Sequence, residues 1–320
     1  MSRNRSKEIE AEDVMGAVED KRLRSNSKPV AKDPTALRRK LKRLVRNLLF
    51  IYVGGMFLVV GLQEKLIFPG HEKQGRPACA LHAGQAAEVV DLPTPSGDKV
   101  VAIFGRALEK DGAPAADPEN KPTILYFYGN AMCANDALKE FEDFRKLGAN
   151  VIVADYVGFG QSTGKPSEIG CRDTADAVYD YVRKHKDVDP SRIVAVGWSL
   201  GGAVAIDLAA RKPLAGLVVF SAFTSQTTLA RRAFPVLPVS LLLRHPFDSL
   251  SKIGRVKCPI LIGHGRNDET IPFRMADQLA AAAKTPVTRL TVESGHNDFF
   301  NVGDKDILQA LSLFLDRTKR

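Results

Sequence analysis

A glycine–serine motif at residues 197–201 joins a short apolar segment to an alanine-rich one. The motif reads Gly197-Trp198-Ser199-Leu200-Gly201. A G-x-S-x-G sequence between a strand and a helix is typical of a sharp turn that lifts the serine hydroxyl above the edge of a sheet. The helix that follows directs free N–H groups and the positive end of its dipole toward the same point. We therefore expect Ser199 to be a nucleophile and not only a turn residue.

A serine hydroxyl needs a base to remove its proton, and the residues after the motif supply candidates. Where the nucleophile lies on such a turn, an acid and then a histidine follow it in the chain. Asp268 and His296 each follow a short apolar run, and His296 is the only histidine after Asp268. The ends of parallel strands meet at one edge of a sheet, so we expect these side chains to converge on Ser199. Asp268 would then fix the tautomer of His296, with Glu269 and Asp298 as alternative carboxylates.

Short apolar runs and longer helical patterns alternate along the rest of the chain, which predicts a mostly parallel sheet with helices on both faces. The predicted strands are 89–92, 99–104, 123–128, 151–154, 193–196, 217–220, 260–262 and 289–292. The predicted helices are 134–147, 173–186, 200–211, 274–283 and 307–317. Residues 224–257, rich in proline and leucine, interrupt the alternation and predict a small cap of short helices. The fold class expected is α/β.

Several segments together resemble the α/β-hydrolase superfamily, in particular membrane-anchored single-pass hydrolases whose oxyanion loop reads HGNA. The matching segments are Tyr128-Gly-Asn-Ala131, Asp155-Tyr-Val-Gly-Phe-Gly-Gln-Ser162, Gly197-Trp-Ser-Leu-Gly201, Pro246-Phe-Asp-Ser249, His264-Gly-Arg-Asn-Asp268 and Gly295-His-Asn-Asp298. They cover roughly residues 63–320, and their order and spacing are specific to the family. The resemblance implies an α/β-hydrolase fold for this part of the chain.

The resemblance also implies that the backbone N–H groups of Asn130 and Leu200 form an oxyanion hole. Two positions depart from the family pattern: Tyr128 stands where the family has histidine, and Val157 stands where an arginine is usual. Backbone donors do not depend directly on either side chain. We therefore expect these two changes to affect loop geometry and substrate preference, and not the presence of the oxyanion hole.

The N-terminal region predicts a basic disordered tail over residues 1–43 and a transmembrane signal anchor over 44–62, before the catalytic domain at 63–320. The net charge of the chain is +9, and most of it comes from a basic cluster between Arg38 and Arg46 and the residues before it. The uncharged run 48–62 reaches about 22 Å as a helix, and counting from Leu44 with a snorkelling Arg46 brings it near the length needed to cross a bilayer. A buried helix and a cleaved signal peptide are the alternatives. The basic residues would keep the N-terminus in the cytoplasm and place the catalytic domain on the non-cytoplasmic side.

Charge and cysteine usage argue against several other classes of protein. Because the positive charge is concentrated before the apolar run, a nucleic-acid-binding domain is not expected. The four cysteines show no CxxC or metal-binding spacing, and we expect no metal or organic cofactor. Cys133 and Cys171 either meet at the edge of the sheet or remain unpaired thiols. The expected partners are therefore the membrane and a small-molecule or lipid acyl-ester substrate.

The motifs predict a serine hydrolase, and the family resemblance implies the carboxylesterase, lipase or thioesterase type. It would act on ester or thioester bonds, with lipid-like acyl substrates favoured by the anchor and by the apolar cap. One alternative is a serine peptidase resembling the aminopeptidases of the superfamily. An alternative of another class is a catalytically silent scaffold tethered to the membrane.

Overall fold

The computed structural model of the chain describes residues 34–318. These residues belong to two compact units that divide between Phe57 and Leu58. The sheet, the cap and every residue of the predicted serine site lie in the second unit.

The first element is one long helix, α1, at Pro34–Ile67. The stretch Thr35–Ile67 is long and apolar enough to cross a membrane, with a mean hydropathy of 1.9 in its apolar window. This helix contains the whole of the predicted anchor at 44–62. Residues 1–33 of the predicted disordered tail lie outside the described residues. The remaining part, 34–43, is helical, because Pro34 starts the helix and the leucine, lysine and arginine residues after it are good helix formers.

Eight strands form a single sheet with the order β1-β2-β4-β3-β5-β6-β7-β8. The strands are β1 (Ala87–Pro93), β2 (Lys99–Gly105), β3 (Thr123–Phe127), β4 (Asn150–Ala154), β5 (Ile193–Trp198), β6 (Gly216–Phe220), β7 (Ile260–Gly265) and β8 (Val287–Val292). Strand β2 pairs antiparallel with β1 and β4, and all other pairs are parallel. The prediction of a mostly parallel sheet in an α/β fold is confirmed.

The central strands are buried along their whole length because they are apolar on both faces. Every residue of β3, β4, β6 and β7 is buried, and only the last residue of β5 is partly exposed. A strand covered on both faces loses the alternation of apolar and polar residues and becomes a continuous apolar run. These runs are therefore the feature of the sequence that determines where the core lies.

The remaining α-helices among residues 34–318 differ from their predicted bounds mainly at their first residues. They are α2 (Leu138–Lys146), α3 (Glu168–Val182), α4 (Leu200–Ala209), α5 (Gln226–Ala233), α6 (Val239–Leu242), α7 (Ser249–Ile253), α8 (Arg274–Ala282) and α9 (Phe299–Arg317). Helix α3 begins five residues before its predicted start because the Ser167 hydroxyl accepts a hydrogen bond from the Gly170 N–H and caps the first turn. Helix α9 begins at Phe299 rather than at residue 307, because Phe299 is buried and belongs to its inner face.

Helices α5, α6 and α7 form the cap between β6 and β7, within the predicted range 224–257. Two hydrogen bonds close the base of this insertion. The Gln226 N–H donates to the Pro246 carbonyl over 2.8 Å, and the Leu250 N–H donates to the Thr224 carbonyl over 2.9 Å. The chain therefore leaves the sheet and returns to it at nearly the same place.

A disulfide joins Cys79 to Cys133, which are 54 residues apart in the sequence. Cys133 therefore does not pair with Cys171, which is a buried free thiol, as is Cys258. Burial raises the pKa of the Cys171 thiol and raises that of Cys258 to about 11, so both remain protonated at neutral pH. The bridge fixes the segment that follows α1 to the loop that follows β3.

Candidate active site

Ser199 lies on a strained turn between β5 and α4. Its backbone has φ 55° and ψ −116°, a conformation that residues with a side chain rarely adopt. The Ser199 N–H donates to the Phe220 carbonyl over 2.9 Å, which fixes the turn to the end of β6. The turn thus directs the side chain away from both the strand and the helix, as the G-x-S-x-G motif predicts.

The two glycines of the motif allow backbone segments to approach more closely than side chains would permit. A Cβ at Gly201 would overlap the backbone carbonyls of Phe127 and Tyr128, at the end of β3. A Cβ at Gly197 would overlap the backbone of Gly201 itself. Gly201 therefore lets the first turn of α4 lie directly against the end of β3, and Gly197 lets the end of β5 lie against that same turn.

His296 lies between Ser199 and Asp268. Its Nε2 is 3.0 Å from the Ser199 Oγ, and its Nδ1 is 2.8 Å from the Asp268 Oδ2. Because an ionised carboxylate only accepts hydrogen bonds, the Nδ1 carries the proton and the Nε2 accepts from the serine hydroxyl. The Trp198 ring stacks on the imidazole at 5.5 Å between ring centroids and 25° between planes. The structure therefore brings the three sequence-predicted side chains together in one hydrogen-bonded chain.

Asp268 is held as a carboxylate by donors on three sides. Its Oδ1 accepts from the N–H groups of Thr270 and Ile271, at 3.0 and 2.7 Å. Burial by itself would raise the pKa of Asp268, but the hydrogen bonds from His264, His296 and Ile271 outweigh burial and hold this pKa well below its ordinary value. An acid that stays ionised can stabilise a positive charge on His296.

His264 also belongs to the surroundings of Asp268, although the sequence assigned it no role in the site. It is fully buried, and its Nε2 lies 2.8 Å from the Ile271 carbonyl and 3.3 Å from the Asp268 Oδ2. The available signal was its position, four residues before Asp268 at the end of an apolar run. The alternative carboxylates Glu269 and Asp298 are exposed, and the hydrogen bond of His296 to a carboxylate goes to Asp268 instead.

The two backbone donors implied by the family resemblance lie at the ends of neighbouring strands. Asn130 follows β3, and Leu200 is the first residue of α4, directly after β5 and Ser199. Within residues 34–318, neither the Asn130 N–H nor the Leu200 N–H has a hydrogen-bond acceptor. Both donors are thus available to an anion, and the dipole of α4 adds positive potential beside Leu200.

Asp155 fixes both ends of the loop that carries Asn130. Its Oδ1 accepts from the Tyr128 hydroxyl at 3.1 Å and from the Ala134 N–H at 2.7 Å, while its Oδ2 accepts from the Gln161 N–H at 2.7 Å. Burial raises the pKa of Asp155, and the three hydrogen bonds partly oppose that rise. Tyr128 is fully buried, so its side chain supports the loop from inside the fold and does not face a substrate. Asp155 is the second contributor that sequence reasoning missed, although it opens one of the family-like segments.

The Asn130 side chain connects the same loop to the end of α1. Its Nδ2 donates to the Ile67 carbonyl, and its Oδ1 accepts from the Ala131 N–H at 3.0 Å. Ala131 has φ 61°, a left-handed conformation that a residue with a side chain adopts only when its surroundings impose it.

Among the described residues there is no group of three or more histidine, cysteine and carboxylate side chains arranged to hold a metal ion.

Comparisons with known proteins agree with this fold. The profile of a family described as alpha/beta hydrolase fold matches residues 122–238. The chain is 35% identical over 227 residues to an uncharacterized protein of Mycobacterium tuberculosis, an alignment that covers 70% of this chain and 81% of that protein. It is 31% identical over 215 residues to alpha/beta hydrolase domain-containing protein 17B of Xenopus tropicalis, covering 67% of this chain and 70% of the relative. The solved structure of the Pyrococcus furiosus esterase Pf2001 has the same fold, with a TM-score of 0.58, 19% identity, and coverage of 72% of this chain and 92% of that one.

We predict that Tyr128→Phe lowers the free energy of unfolding by about 1–3 kcal/mol, because it removes a hydrogen bond to a buried carboxylate. Chemical denaturation of the purified protein measures the change. Tyr126→Phe is a matched control, because the Tyr126 hydroxyl is buried and has no hydrogen-bond partner among the described residues. Equal losses in the two variants would contradict the role assigned to Asp155.

We also predict a pH dependence of stability that comes from Asp268, whose pKa in the folded state lies below its ordinary value of 3.8. Its contribution is fully present above the unfolded-state pKa and is lost as the pH falls through the folded-state pKa. The difference in unfolding free energy between wild type and Asp268→Asn should therefore be largest near neutrality and shrink below about pH 4. For Tyr126→Phe, in which no carboxyl changes, the difference should not vary over this range. A difference for Asp268→Asn that stayed constant would contradict the prediction.

Proposed function

Because this chain belongs to the α/β-hydrolase family, we propose that it is a serine hydrolase with Ser199 as nucleophile. It cleaves carboxylic ester or thioester bonds, with lipid-like acyl groups as the substrate class, and it passes through an acyl-serine intermediate. The observation that carries the proposal is the hydrogen-bonded chain Ser199–His296–Asp268, with distances of 3.0 and 2.8 Å. The esterase that shares this fold supports the type of bond.

In the acylation step, His296 acts as the general base. Its Nε2 takes the proton of the Ser199 hydroxyl while the oxygen attacks the acyl carbon, and Asp268 stabilises the resulting imidazolium. The negative charge on the substrate oxygen is stabilised by the Asn130 and Leu200 N–H groups. His296 then gives its proton to the leaving alcohol or thiol, which departs and leaves an acyl-Ser199 ester.

In the deacylation step, water takes the place of the leaving group. His296 removes a proton from the water as the water oxygen attacks the acyl carbon, and the same two N–H groups stabilise the second tetrahedral intermediate. The proton then returns from His296 to the Ser199 oxygen, and the carboxylic acid is released. Apart from the substrate and this water, the groups in the proposed cycle are side chains and backbone donors of the chain.

We further propose that α1 is an uncleaved signal anchor, with the N-terminus in the cytoplasm and the catalytic domain on the non-cytoplasmic side. The length and hydropathy of α1 support a membrane span. The basic cluster before the apolar run supports the orientation, because positively charged flanks remain in the cytoplasm. The Cys79–Cys133 disulfide supports it independently, because disulfides persist in oxidising compartments.

We predict that a fluorophosphonate probe labels the wild-type protein and that labelling is lost in Ser199→Ala and His296→Ala. Hydrolysis of a simple ester should fall by about 10³–10⁶-fold in both variants, because the nucleophile and its base act as one unit. Gel fluorescence and ester kinetics on the full-length protein in detergent measure the two effects.

Ser221→Ala is the matched control for this experiment. Ser221 directly follows Phe220, the last residue of β6, to which the Ser199 N–H donates. The Ser221 hydroxyl is buried and has no hydrogen-bond partner among the described residues, so its removal should leave labelling intact. Absence of labelling in a well-folded wild type would contradict the proposed activity. Labelling that persists in Ser199→Ala would contradict the assigned nucleophile.

We predict that, in cells, the catalytic domain contains one disulfide and two thiols. After acid quenching and denaturation, a maleimide–polyethylene glycol tag should add to two cysteines of the wild type before reduction and to all four after reduction. The double variant Cys79→Ser, Cys133→Ser should carry two tags in both conditions. Four tags on the wild type before reduction would contradict the oxidising location and therefore the proposed topology.

A further inference from the structure

An apolar cavity of about 530 Å³ lies between the end of α1 and the cap. Twelve of its sixteen lining residues are apolar, among them Val60 and Ile67 from α1 and Leu229, Phe234 and Leu243 from the cap. All lining residues belong to the second compact unit, which begins at Leu58. A volume in the range of about 300–1,000 Å³ is usual for a small-molecule site, and an apolar lining fits a hydrocarbon chain.

Two lining residues are bonded directly to the serine site. Ile67 accepts a hydrogen bond from the Asn130 side chain, and Asn130 also carries one of the proposed oxyanion donors. Thr270 donates its N–H to Asp268, the residue that orients His296, over 3.0 Å. Hydrogen bonds therefore join the cavity lining to the loop that carries Asn130 and to the loop that carries Asp268.

The wall that α1 contributes is fixed to the cap by a buried amide. Gln63 is only 5% exposed; its Oε1 accepts from the Arg244 N–H at 3.0 Å, and its Nε2 donates to the Val60 carbonyl at 3.0 Å. An exposed ion pair between Glu64 and Arg244, at 3.5 Å, lies beside it. Because a buried amide is stable only when its donor and acceptor are both bonded, this contact holds the last turns of α1 in one position against the cap.

The same turns of α1 also carry apolar side chains on their outer surface. Leu58, Leu62 and Leu66 follow one another at intervals of four residues and are 63%, 40% and 57% exposed. Leu66 both lines the cavity and is exposed, so apolar surface continues from the outside of the helix to the cavity. These residues end a helix that is long and apolar enough to cross a membrane. Hydrocarbon beside this helix therefore meets apolar side chains that continue to the rim of the cavity at Leu66.

We propose that this cavity binds the long acyl chain of a substrate that enters from the membrane alongside the end of α1. The proposal rests on the proposed serine hydrolase activity and specifies its substrate class: an ester or thioester of a long, unbranched fatty acyl group. The acyl carbon lies at Ser199, the chain lies between α1 and the cap, and the leaving group faces away from the cavity. The end of α1 is thus part of the substrate site.

The test uses the full-length protein in phospholipid nanodiscs and a series of 4-nitrophenyl esters from acetate to myristate. Wild type should show a kcat/KM that rises by up to about fourfold for each added methylene until the cavity is filled. Ala230→Trp, which places an indole on the half-buried lining of the cavity, should lower kcat/KM for myristate by about tenfold or more and leave acetate nearly unchanged. Leu241→Trp, on the same cap but 85% exposed and outside the cavity, is the matched control.

A second measurement does not depend on turnover. In the Ser199→Ala background, the fluorescent fatty acid cis-parinaric acid should bind, and Ala230→Trp should weaken its binding while Leu241→Trp does not. Fluorophosphonate labelling of wild type, Ala230→Trp and Leu241→Trp, each with Ser199 in place, reports whether the serine site is intact. If wild type reacts with the fluorophosphonate but shows no preference for long chains and no binding of cis-parinaric acid, the cavity proposal is overturned and the proposed function stands. Absence of labelling in wild type would instead overturn the proposed function.

Discussion

The close contact between the first turn of α4 and the end of β3 is the constraint on which the rest of the site depends. It exists because residue 201 has no side chain, so that the helix backbone can lie against the carbonyls of Phe127 and Tyr128. This contact places the N-terminus of α4 beside the loop that follows β3. Ser199, Leu200 and Asn130 come from segments far apart in sequence, and the central strands hold them next to one another. The strained turn at Ser199 persists because β3 and β6, the strands on either side of β5, are fully buried and closely packed.

The loop that carries Asn130 is held in place by two groups of interactions, one inside the fold and one near the end of α1. Inside the fold, the Asp155 carboxylate accepts three hydrogen bonds. A buried carboxylate without such partners would cost folding free energy. Near the end of α1, the Asn130 side chain donates a hydrogen bond to the Ile67 carbonyl. The Cys79–Cys133 disulfide links the segment after α1 covalently to the same loop. Tyr128, at the position where the resembling loops have histidine, contributes to this support because its hydroxyl donates to the Asp155 carboxylate.

Much of this arrangement could be predicted from the sequence, and the reason is physical. Strands that are buried on both faces must be continuous apolar runs, and parallel strands bring their following loops to one edge, so the convergence of Ser199 and His296 follows from order alone. The pairing of Cys79 with Cys133 could not be predicted, because it depends on the path of the chain after α1, which carries no periodic pattern. His264 was missed because a histidine in an apolar run is equally compatible with a simple core position.

The closed base of the cap has a consequence for how this fold can diversify. Strands β6 and β7 pair directly with each other, and the insertion between them begins and ends at two adjacent hydrogen bonds, at Gln226 and Leu250. Its length and composition can therefore change without shifting the register of the sheet or the loops that carry Ser199, Asp268 and His296. Natural variation can therefore reshape the cap, and with it the apolar cavity that the cap lines, while the strand ends that carry Ser199, Asp268 and His296 keep their positions.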